Sequence, residues 1–165
     1  MENFDLLLHP ILRSCDFLVN YGPDAVAQTL NRLVSTKKLG LDPEEIPVLS
    51  HGRAWRRVYE VCLSDDQRYG HQVPEALSKV PCANKPLVLA DPLTSILFAT
   101  LNVARMKKHY FVTYFKDVRG QLWGIHMDAL TGEFILHIHP TCTNAIHREA
   151  TVFLATPSRP LSWAA

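Results

Sequence analysis

Between His109 and His139 the chain alternates in polarity residue by residue, and no other feature limits its fold so strongly. Three runs, His109 to Lys116, Gln121 to Asp128 and Glu133 to His139, are rich in aromatic and β-branched residues. Asp117-Val118-Arg119-Gly120 and Ala129-Leu130-Thr131-Gly132 separate them as turn-like connections ending in glycine. Connections this short join antiparallel neighbours, so the runs predict a β-meander. Thr151 to Ala155 reads as a fourth strand.

Upstream the apolar period is helical. Asn3 is a suitable N-cap, and Phe4, Leu7, Leu8, Ile11, Leu12 and Cys15 recur at helical spacing across Pro10, which kinks or restarts the helix. Pro23 opens a second helix with Val26, Leu30, Leu33 and Val34 inward, closed by Lys37, Lys38 and Gly40. Prolines 43, 47, 74, 81 and 86 punctuate the next stretch, where Ala54 to Leu63 reads equally as helix or strand. Asp91-Pro92 starts a third helix running to about Lys107, with Ile96, Leu97, Leu101 and Ala104 buried. The expectation is an α+β fold in one domain, 1–165. Helical and irregular structure over 1–107 would pack on one face of an antiparallel meander of about four strands, over 108–157.

Composition removes several function classes. The chain has 165 residues, 47% of them apolar, which is too many for a disordered chain. A net charge of +1 argues against a dedicated duplex-DNA or membrane-surface protein. No apolar stretch reaches the roughly 20 residues that span a bilayer. Met1-Glu2-Asn3-Phe4-Asp5 is acidic, unlike the start of a signal peptide. Four scattered cysteines, none in a C-x-x-C pair, suit free thiols in a reducing cytoplasm.

Chemistry enters with the faces of the meander. If both connections hold four residues, Lys116 faces Gln121 and Asp128 faces Glu133. One face then carries Tyr110, Val112, Tyr114, Trp123, Ile125, Met127, Phe134, Leu136 and Ile138, a core face. The other carries His109, Phe111, Thr113, Phe115, Leu122, Gly124, His126, Asp128, Glu133, Ile135, His137 and His139. Half of the eight histidines gather there, with His126 diagonal to His137 and His109 opposite Asp128. Such a face is a solvated surface, an acid–base site or a metal site. Imidazoles beside carboxylates suit proton transfer near neutral pH, and RNA supplies its own nucleophile in the 2′-hydroxyl. Histidine with thiolate also suits zinc, through His137, His139, Cys142 and His147.

His137-Ile138-His139-Pro140 resembles the His-x-His-Pro core of the JAMM/MPN metalloproteases. The serine and aspartate that continue that motif are here His147 and Ala150, so its aspartate ligand is missing. The pair also resembles the His-hydrophobic-His signature of rolling-circle relaxases, with Phe111-Val112-Thr113-Tyr114 similar to their first motif. No tyrosine follows Tyr114 to act as their nucleophile. In layout, helices feeding a meander with acid–base residues on its open face looks like the barnase-type ribonucleases, a likeness of architecture alone.

The expectation is a small cytoplasmic hydrolase, a metal-independent nuclease of ribonuclease type. His126, His137 and His139 are its acid–base residues, with Glu133 and Asp128 as their partners. Arg148 is a phosphate ligand; Arg53 and Trp55 grip phosphate and stack on a base. No cofactor is expected, with zinc as the alternative, and the partner is RNA or a protein. The competing reading is a protein-binding module (inhibitor, immunity or accessory protein) using Phe111, Phe115, Leu122 and Ile135.

Overall fold

The computed structural model describes residues 11–31, 45–46, 52–64, 71–81, 85–141 and 151–158. In chain order these form β1 (Ile11–Asn20), α1 (Pro23–Asn31), β2 (Arg53–Val61), α2 (Val73–Ser78), β3 (Leu87–Leu89) and α3 (Pro92–Leu101). A 3₁₀ helix (Val103–Lys107) follows, then β4 (Tyr110–Lys116), β5 (Leu122–Asp128), β6 (Ile135–Pro140) and β7 (Thr151–Pro157). All seven strands share one sheet in the order β1-β2-β7-β4-β5-β6, with β3 also paired to β7. The β4–β7 pair is parallel; the other pairs are antiparallel.

This large mixed sheet with short helices replaces the expected α+β arrangement of N-terminal helices on a four-stranded meander. The first segment departs most. After Pro10 the chain has period 2: Phe17 and Val19 are buried, Cys15 is half-buried, and Ser14, Asp16, Leu18 and Asn20 face out. The helical spacing of Phe4 to Cys15 bridged that proline and hid the strand. Ala54 to Leu63 is strand as far as Val61. Its last four residues, Val58 to Val61, are all buried because β2 lies beside β7 there, with helices on both faces.

The strand β7 does not extend the meander beyond β6. Val152-Phe153-Leu154-Ala155 is apolar without alternation, as suits a strand buried on both sides, and it fills the slot between β2 and β4. Each sheet face therefore has its own core. On one, Phe98, Ile96 and Leu93 of α3 meet Phe111, Phe115, Trp123, Ile125, Val152 and Leu154. On the other, Val73, Ala76 and Leu77 of α2 meet Val112, Tyr114, Phe153 and Ala155. Each fully buried Phe or Leu contributes about 1.5–3 kcal/mol. The helix α3 begins where Asp91-Pro92 predicts. The Asp91 carboxylate accepts from the Thr94 amide at 3.0 Å, and Pro92 occupies the first turn. It ends at Leu101, and the 3₁₀ helix carries the chain on to Lys107.

Register sets the two faces, and one connection differs in parity from the expected one. Lys116 pairs with Leu122, so the β4–β5 connection has five residues, 117–121. Asp117 shapes it by accepting from the amides of Arg119 and Gln121 (both 2.9 Å) and from the Trp123 indole (3.0 Å), while Gly120 takes φ 81°. The fifth residue moves Phe111, Thr113 and Phe115 to the α3 side and Val112 and Tyr114 to the α2 side. The β5–β6 connection holds six residues, 129–134, and pairs Asp128 with Ile135. That slide of two residues leaves side-chain parity unchanged. Among the described residues no helix is long and apolar enough to cross a membrane.

Candidate active site

The strands β5 and β6 place three imidazoles on the α2 side of the sheet, beyond the area α2 covers. His126 pairs directly with His137, and His139 pairs with Gly124. His126 and His139 pack ring to ring, with centroids 4.6 Å apart and planes inclined by 45°. His137 is exposed; His126 and His139 are half-buried. Gly124 is what lets the rings meet. A methyl group there would lie 3.5 Å from Nε2 of His126 and 3.5 Å from Nε2 of His139, and only 3.2 Å from Cε1 of His139. Both Nε2 atoms thus close on one space above the glycine.

The two rings differ in what they can do. His139 Nδ1 lies 3.1 Å from the Pro140 carbonyl, which only accepts, so Nδ1 carries the proton and a neutral ring offers Nε2 as a base. Burial, then positive charge on His139 and His137, pulls the His126 imidazole down to about 4 from its ordinary 6.5; the Asp128 carboxylate pulls the other way. Near pH 7 His126 is therefore neutral.

The remaining sequence candidates separate. Asp128 shares the face of His126, two residues along β5, and accepts from the Leu130 amide at 3.3 Å. Glu133 is exposed in the connection and pairs with no strand residue, because β6 begins at Ile135. His109 precedes β4, so Phe111, and not His109, sits near the Asp128 end of the ladder. His109 Nδ1 is buried, with no hydrogen-bond partner among the described residues. Phe111 and Phe115 are buried in the α3-side core, while Leu122 and Ile135 stay half-buried on the histidine face. Arg53 and Trp55 lie on β2, with β7 and β4 between them and β5. Cys142, His147 and Arg148 fall outside the described residues. Among the described residues, no three His, Cys, Asp or Glu side chains are grouped to hold a metal ion.

Two contributors were not among the site candidates of the sequence. Gly124 reads as an unremarkable strand glycine until His139 is placed over it. Lys116 is exposed and pairs with Leu122, on the histidine face one row beyond Gly124; only the five-residue connection puts it there. No protein-family model, no curated protein and no solved structure matches this chain. The chemistry of these residues must carry the functional reading.

Proposed function

We propose that the protein is a small cytoplasmic hydrolase that cleaves RNA by metal-independent acid–base catalysis at His126, His137 and His139. The observation that carries this reading is the closure of two Nε2 atoms on the space above Gly124, one of them on a ring kept neutral. A ring that its surroundings keep neutral is available as the base of an acid–base pair. His126 Nε2 takes the proton of a 2′-hydroxyl. The freed oxygen attacks the adjacent phosphorus, and the P–O5′ bond breaks. His139, once its Nε2 has taken up a proton, gives that proton to the departing 5′-oxygen, leaving a 2′,3′-cyclic phosphate and a 5′-hydroxyl. His137, exposed beside His126, stabilises the charge developing on the phosphate, with Lys116 on the same face.

The protein-binding alternative has less support. Its aromatic pair, Phe111 and Phe115, is buried beneath α3. The test is cleavage of a uridine-rich RNA in the presence of a chelator. The wild type yields 2′,3′-cyclic ends, and His126→Ala and His139→Ala each lower the rate at least about a hundredfold. Cleavage unchanged by both substitutions, or no cleavage by the wild type, overturns the proposal.

A further inference from the structure

The same side of the sheet carries a second exposed feature at its far end. Before Tyr59, from Arg53 to Val58, β2 has no partner in β7 and pairs only with β1. One face of this two-stranded ribbon, with Phe17, Val19 and Val58, belongs to the α3-side core. The other sets Leu18 opposite Trp55, Asn20 opposite Arg53 and Asp16 opposite Arg57. Trp55 is 70% exposed and Leu18 is 46% exposed. No other Phe, Tyr or Trp among the described residues is exposed.

The surroundings of the indole indicate what it meets. Guanidinium groups lie two residues before and two after it on the same face. Arg57 is held by both oxygens of Asp16 at 2.7 Å, whereas Arg53 has no ion pair among the described residues. Among the described residues the apolar patch on this face consists of Trp55 and Leu18, ringed by arginine, asparagine and aspartate. A stable protein interface needs about 1,000 Å² or more with an apolar centre, which two side chains do not supply. A flat aromatic ring with an arginine beside it matches an unpaired base and its phosphate.

We infer that the Leu18–Trp55 face is a stacking platform for single-stranded nucleic acid, with a base on the indole and Arg53 at the neighbouring phosphate. This deepens the ribonuclease reading, and the choice of RNA as the natural ligand rests on it. Trp55 lies three strand spacings and six residues of strand from His126. That is roughly 25 Å at about 4.8 Å per strand and 3.3 Å per residue. A bound strand of at least about four nucleotides reaches both, within the site sizes of single-strand binders. The platform therefore selects extended unpaired chains over dinucleotides and duplexes.

Fluorescence anisotropy with a labelled twelve-residue oligodeoxythymidylate tests this, because that probe lacks the 2′-hydroxyl and cannot be cut by internal attack. The expected result is binding weakened about tenfold by Trp55→Ala, largely kept in Trp55→Phe, and less salt-dependent in Arg53→Gln. Trp55 is exposed, so these variants keep their unfolding midpoint. Equal binding by wild type and Trp55→Ala, or no binding by either, overturns the platform, as does tighter binding of the duplex form. Oligonucleotide binding through Trp55 without RNA cleavage overturns the ribonuclease reading and leaves the platform standing. Cleavage of long RNA that Trp55→Ala leaves unchanged does the reverse.

Discussion

Glu60 of β2 has no solvent exposure, and its two carboxylate oxygens receive Nε of Arg105, at 2.7 Å, and Nη2 of the same side chain. This fork ties the sheet to the 3₁₀ helix that follows α3. Arg13 lies across the β1–β2 ladder from Glu60, but its guanidinium donates to Asn102 Oδ1 at 3.4 Å. Arg105 is thus the partner that neutralises the buried carboxylate. Arg105→Met leaves that charge unpaired and lowers stability by about 3 kcal/mol, whereas Glu60→Met/Arg105→Met recovers to within about 1 kcal/mol of the wild type. Urea unfolding at pH 7 measures both. A double variant as unstable as the single one sinks the pairing argument.

Asp117 gives an acid-range signature. Its hydrogen bond from the Trp123 indole comes first, joined by the Gln121 and Arg119 amides and the Arg119 charge. Together these outweigh burial and hold the carboxyl below its ordinary 3.8. A carboxylate with a lowered folded pKa stabilises the fold above its unfolded value. That stabilisation fades as the pH falls through about 4 toward the folded value. Asp117→Asn should therefore be less stable than the wild type at pH 7, with the gap narrowing below pH 4. Thermal unfolding across pH 2–7 reads this, and a gap of constant size contradicts it.

These residues also show where the sequence could be read and where it could not. Alternation in β4, β5 and β6 was legible because each strand exposes its period directly, and Asp91-Pro92 announced α3 by its capping chemistry. The strand β1 was not legible, since Phe4 to Cys15 fits a helix only if Pro10 is bridged. Nor was the place of β7, whose parallel pairing with β4 is non-local and leaves no local signal. At the site, the faces of β4 turned on one residue of loop length, decided by the Asp117 carboxylate gathering three donors. His126, His137 and His139 share a face because the β5–β6 register slid by an even number. The space over Gly124 appears only once His139 is placed.

The buried hydroxyl of Tyr21 anchors the β1–α1 corner to the start of α3. It lies 2.8 Å from Thr94 Oγ1 and receives Nε of Arg56 at 2.9 Å, with the Arg56 guanidinium 5.3 Å from its ring centre. Tyr21→Phe keeps the ring and removes the hydrogen bonds to Thr94 and Arg56, so it should cost about 1–3 kcal/mol. A loss under about 0.5 kcal/mol in chemical denaturation would show that the network rearranges freely.

The lowered proton affinity of His126 makes stability depend on pH in a defined window. The unfolded imidazole takes up a proton near 6.5, the folded one near 4. Folding therefore favours the neutral ring. Its stabilisation is complete above about pH 6.5 and is lost progressively as the pH falls to 4, a change on the order of 2–3 kcal/mol. In His126→Asn this loss should shrink. Denaturation of both proteins at intervals from pH 4 to 8 decides it, and parallel curves would mean the ring is not depressed.

Gly124→Ala separates the geometry of the site from the stability of the fold. The added methyl comes within 3.2 Å of His139 Cε1, a contact that the ring must relieve by moving off Gly124 and away from His126. Gly124 does not have a positive φ, and alanine suits a strand better than glycine, so the backbone loses nothing. The expected outcome is an unfolding free energy within about 1 kcal/mol of the wild type. Cleavage of RNA should fall by up to about tenfold, because the ring must give by a few tenths of an ångström and a full 1 Å can cost about a hundredfold. The His139 imidazole resonance in an NMR spectrum should shift in parallel. Full activity with an unmoved His139 resonance would show that the two Nε2 atoms do not work together above that glycine.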